Sequence, residues 1–72
     1  MQVVTERPIE VFRTMDANGP RILEVFKAGD SIRAETYIVH EAFQRKIGEY
    51  TITPDDWNYL RPVLIDQGAL AI

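Results

Sequence analysis

No cysteine occurs anywhere in this chain, and His40 is its only histidine. Disulfides and thiolate or multi-histidine metal sites within one chain are thereby removed as sources of stability. The 72 residues make one small domain, whose single core supplies only ~3–5 kcal/mol net. Such a chain is held by close packing, by a partner or by self-association. The packing material is present. Apolar residues make up 46% of the sequence, and Phe12, Phe26, Tyr37, Phe43, Tyr50, Trp57 and Tyr59 are aromatic, a composition that argues against disorder.

The apolar residues come in short bursts, none near the ~20-residue run of a membrane helix. The opening MQVVTERPIE lacks the basic-then-apolar layout of a secretory signal. These features predict a cytoplasmic protein that does not enter membranes, and a freestanding domain of this kind suits a bacterial or phage accessory gene. Charge is unevenly spread. Residues 1–48 hold seven acids and seven bases, whereas residues 49–72 hold Glu49, Asp55, Asp56 and Asp66 against Arg61 alone. The net charge of −3 therefore sits in the last third. A duplex-binding domain normally carries a basic excess instead, because neutralising phosphates drives its affinity.

Turn residues at Pro8, Asn18-Gly19-Pro20, Gly29-Asp30, Gly48, Pro54 and Gly68 cut the chain into short elements. Residues 9–15 and 21–27 alternate as strands, joined by a five-residue connection, Asp16 to Pro20, into a hairpin. The second strand is apolar on both faces: Leu23 and Val25 on one, Ile22 and Phe26 on the other. Residues 31–47 fit two patterns. Ile32, Thr36, Tyr37, Ile38 and Val39 favour a strand to about residue 40, followed by a loop or helical turn over 41–46. Ile38, Val39, Ala42, Phe43 and Ile47 also fit one face of a helix capped by Gly48, so a βαβα-like fold with a central helix at 31–47 is the alternative. Residues 47–53 read as a further strand.

The last element carries the clearest signal. Thr53-Pro54-Asp55-Asp56 joins a capping hydroxyl, a proline at the first helical position and acids in the first turn. Trp57, Leu60 and Leu64 recur at helical spacing. Pro62 predicts a kink or break, because it lacks the N–H that would bond back one turn. Gly68 ends the helix, and the apolar tail Ala69–Ile72 reads as an added edge strand. The expected fold is α+β: a small twisted antiparallel sheet of about four strands, at most a half-open barrel, closed by the C-terminal helix.

Little in the sequence resembles catalytic machinery. His40 has no orienting partner in view. Asp55 and Asp56 suit a helix dipole better than paired acid–base work. Gly19, Gly29 and Gly48 are isolated turn glycines without phosphate-loop spacing. The expectation is a non-enzymatic protein-binding module without cofactor or metal, an accessory regulator or inhibitor of a larger enzyme or assembly. Tyr59, Arg61, Leu70 and Ile72 are its contact candidates. Exposed strand edges and a small core also favour a homodimer. The alternative is a nucleic-acid-binding module using Lys27, Arg33, Phe43, Arg45 and Lys46, with Phe43 as a stacking ring beside basic charge.

Overall fold

The computed structural model describes residues 6–17 and 19–72. The chain start and Asn18 of the expected Asn-Gly turn lie outside these residues. The elements are β1 (Glu10–Asp16), β2 (Gly19–Ala28), β3 (Ser31–Val39), β4 (Gln44–Ile52), α1 (Pro54–Asp66) and β5 (Leu70–Ala71). They form one antiparallel sheet in the order β4-β3-β2-β1-β5, with α1 packed on one face. The fold is therefore α+β as expected, and the sheet stays open with β4 and β5 as its edges. The dimensions, 37 × 34 × 19 Å, are those of a thin two-layer slab.

Residues 31–39 are a strand, which overturns the central-helix alternative. The pattern Ile32, Ala34 turned to one face, with Arg33, Glu35 and Tyr37 on the other, matches pairing with β2 on one side and β4 on the other. The connections are tighter than the sequence suggested. Asp16 pairs with Gly19, so Pro20 lies inside β2 opposite Met15 rather than in a five-residue loop. Proline is tolerated there because the β2–β3 ladder starts only at Arg21. The β3–β4 loop spans 40–43 rather than 41–46, because Val39 already pairs with Gln44. Arg45 and Lys46 are strand residues as a result.

Gly48 is also a strand residue and not a turn. The register slips between Thr36 and Tyr37, leaving Ile47 as an extra residue in β4. A Cβ on Gly48 would lie 2.9 Å from the Tyr50 hydroxyl, so the missing side chain lets the Tyr50 ring fold back over the strand.

The core lies between the sheet and α1. Phe12, Val25, Ile32, Trp57 and Ala69 are buried, with Leu23, Ile52 and Leu64 packed against them. Phe12 and Trp57 meet edge to face at 6.0 Å and 62°, a favoured aromatic geometry. Helix α1 starts as its sequence requires: Thr53 Oγ1 accepts from the Asp56 N–H at 3.1 Å. It runs without a break through Pro62, whose fixed φ is helical even though one backbone bond is lost. Gly68, at φ 100°, closes the end. The Gly68 N–H bonds the Ile65 carbonyl and the Ala69 N–H bonds the Leu64 carbonyl, a left-handed glycine cap. That reversal delivers Ala69 to the core and Leu70–Ala71 to the edge of β1.

Candidate functional site

The sheet has two unlike faces, set by strand alternation. On the helix side stand Phe12, Leu23, Val25, Ile32, Ala34 and Ile52. On the open side, cross-strand pairing aligns Glu24, Glu35 and Glu49 in one row across β2, β3 and β4. Like charges directly opposite repel, and flanking groups compensate Glu35 and Glu49. Tyr37 Oη donates to Glu35 Oε1 at 2.8 Å. Arg33 Nε donates to Glu35 Oε2 at 3.2 Å and Arg33 Nη2 to Glu6 at 2.8 Å. Lys46 Nζ lies 3.4 Å from Glu35 and 2.9 Å from Glu49. The Arg33 guanidinium also sits 4.6 Å over the Phe26 ring, a cation–π contact.

Glu35, only 8% exposed, is the most buried charge of this cluster. The Tyr37 hydroxyl, then Lys46 and Arg33, hold its carboxyl below its ordinary pKa against the opposing effect of burial. The same bond, together with burial, pushes Tyr37 up to about 12. Both groups move away from neutrality. General acid–base work needs a pKa near the working pH, so the bond serves structure instead: within β3 it fixes the Glu35 carboxylate where Lys46 of β4 reaches it. Among the described residues, no three His, Cys, Asp or Glu side chains are placed to hold a metal ion.

His40 lies exposed in the β3–β4 loop, its ring 4.7 Å from that of Phe43. Among the described residues, no carboxylate bonds to it. Phe43 is exposed and outside the core. A shallow depression of about 330 Å³ lies elsewhere, between the β2–β3 turn and the start of α1, lined by Lys27, Gly29, Asp30, Ser31, Ile32 and Pro54.

The five nucleic-acid candidates do not form one surface. Arg33 and Lys46 are engaged with carboxylates on the open face. Arg45, paired with Ile38, points to the helix side by alternation. Lys27 stands at the opposite end of the sheet from Phe43.

The protein-contact candidates also divide. Tyr59 is 75% exposed, on the side of α1 away from the sheet. Arg61 turns inward: its Nε donates to Glu10 Oε1 at 2.7 Å, and its guanidinium is 5.9 Å from the Phe12 ring centre. Leu70 is 68% and Ile72 77% exposed. Leu70 pairs with Arg13, and the Ile72 N–H bonds the Val11 carbonyl. Both therefore belong to the open face, on the far side of the sheet from Tyr59.

Two apolar surfaces result. On α1, exposed Leu60 and Val63 flank Tyr59, with Asp55, Asp56 and Asp66 around them. At about 100° per residue Tyr59 and Val63 point outward, whereas Leu60, though exposed, stands at the flank about 60° from Trp57. The last turn of α1 has no basic residue and instead ends on Asp66, an acid where the helix dipole favours a cation. On the open face, Met15, 69% exposed, joins Leu70 and Ile72 beside half-buried Val11 and Ile22. The sequence had marked Tyr59, Leu70 and Ile72 but not Met15 or Val63. Alternation in β1 and the four-residue step from Tyr59 were the signals for those two.

No known family model, curated protein or solved structure matches the chain. Among the described residues, no helix is long and apolar enough to cross a membrane.

Proposed function

We propose that this chain is a non-enzymatic protein-binding module of the cytoplasm, an accessory regulator or inhibitor that docks α1 on a larger enzyme or assembly. The observation that carries the reading is the outer stripe of α1. Tyr59, Leu60 and Val63 stand exposed on a helix whose outward charges are all acidic. An apolar helix face of this kind is recognised by laying it into a groove, and Tyr is a frequent anchor of such contacts. The partner this stripe fits has an apolar groove with a basic rim. Asp66 supports the same reading, since it opposes the helix dipole and serves α1 in no visible way.

The test is affinity capture with wild-type chain and with Tyr59→Ala and Val63→Asp variants, followed by mass spectrometry. The expected result is one stoichiometric protein held by wild type, weakened by salt and lost from both variants. Absence of a stoichiometric partner, or equal retention by the variants, overturns the proposal.

The nucleic-acid alternative has one local observation in its favour, the exposed His40–Phe43 stack two residues from Arg45. It has less support overall, because two of its four cations are engaged with carboxylates. Its test is a mobility shift with single strands at low salt, compared with the Arg45→Ala, Lys46→Ala double variant.

A further inference from the structure

The helix stripe and the open sheet face differ in charge, and the difference decides what can cover each. The stripe is acidic throughout and repels its own copy. The apolar strip along β1 and β5 carries a cation, and β2 beside it carries an anion. Arg13 projects from its middle, and Glu24 stands one diagonal step away on β2: Arg13 pairs with Ile22, and Val11 with Glu24. Among the described residues, neither Arg13 nor Glu24 has a hydrogen bond or ion pair of its own. Glu24 is half-buried, which makes an unmatched carboxylate unfavourable.

We propose that a second copy of this chain covers the strip, forming a two-fold dimer in which each Arg13 pairs with the Glu24 of the partner subunit. A two-fold contact brings residue i to j and j to i. A surface with one cation and one anion a step apart is therefore complementary to itself. Met15, Leu70 and Ile72, each more than two-thirds exposed, supply the apolar part of the contact.

The two sheet edges agree with this occupant. Pairing through β4 is disfavoured by the Ile47 bulge and the charged Lys46 beside it, both common edge guards. β5, by contrast, is a two-residue strand, Leu70–Ala71, with Ile72 following it, and none of the three carries a charged side chain. Self-association also relieves the stability deficit of a small domain without cysteine.

Sedimentation equilibrium on wild type, Arg13→Glu, Glu24→Arg and an equimolar mixture of the two variants tests the proposal. Circular dichroism checks that each variant is folded. Wild type should be a dimer at ~10 µM, and each single variant should associate about tenfold or more weakly, because both of its cross-pairs become repulsive. The mixture should recover dimer, since an Arg13→Glu chain facing a Glu24→Arg chain restores two attractive pairs. A Leu70→Asp variant, altered in the strip but not in either charge, should be monomeric. A monomeric wild type at ~100 µM overturns the proposal. So does a dimer indifferent to Leu70→Asp, or a mixture no stronger than its components. The Tyr59→Ala variant should dimerise as wild type does, which separates this outcome from the fate of the helix stripe.

Discussion

Arg61 Nε lies 2.7 Å from Glu10 Oε1, an ion pair that joins α1 to β1 across most of the chain. Glu10 Oε2 is buried and has no hydrogen-bond partner, so Arg61 is the only side chain seen to compensate this carboxylate among the described residues. Arg61→Ala is expected to cost about 1–2 kcal/mol, less than a fully buried pair because the guanidinium reaches water. Urea unfolding of the variant against wild type measures it. An unchanged midpoint would show that the helix is held by apolar packing alone.

Tyr37 and Glu35 make stability depend on pH at both extremes. Glu35 has a depressed folded pKa, so its contribution is present above the ordinary carboxyl value and is lost as pH falls through the folded one. Tyr37 is raised from its ordinary 10 to about 12, so its contribution is complete below pH 10 and is lost as pH rises towards 12. Tyr37→Phe should cost about 1 kcal/mol at pH 7 and flatten the alkaline limb. Glu35→Gln should flatten the acid limb. Thermal midpoints across pH 3–12 distinguish the two, and unchanged limbs in both variants would contradict the assignment.

Trp57 and Tyr59 are two residues apart with opposite roles. Trp57 packs on Phe12, and Trp57→Ala should lose about 3–5 kcal/mol, enough to unfold a domain of this size. Tyr59→Ala should stay within about 0.5 kcal/mol of wild type. Guanidinium unfolding of the two variants side by side gives the contrast.

Gly29 and Gly48 should respond differently to alanine. Gly29 has φ +60° with open space around it, so Gly29→Ala meets backbone strain of about 1–2 kcal/mol. Gly48 has no left-handed backbone, and its neighbour is the exposed ring of Tyr50, which can swing away. Gly48→Ala should cost less than about 0.5 kcal/mol. Equal losses at both sites would mean that the Tyr50 ring is fixed in place.

Local chemistry was legible wherever a few neighbouring residues settle the conformation. Thr53, Pro54 and the two aspartates start α1 because their hydroxyl, fixed φ and charge act within one turn. Gly68 ends it because only a residue without a Cβ takes φ 100° freely. Leu70–Ala71 as an edge strand followed from an apolar tail that needed tethering. Residues 31–47 were ambiguous for the same kind of reason: their spacing satisfies both a helix and a strand, and only pairing with β2 and β4 removes the first.

The sequence by itself therefore determined the α+β class, the helix limits, the burial of Trp57 and the exposure of Tyr59. These depend on periodicity and on contacts within a turn or two. Only the tertiary structure decided that Arg61 binds Glu10, that Arg33 and Lys46 surround Glu35, and that Tyr59 and Leu70 lie on opposite sides of the sheet. Each of these depends on strand order and register, which bring together residues tens of positions apart. A one-residue change in register would send every such side chain to the other face.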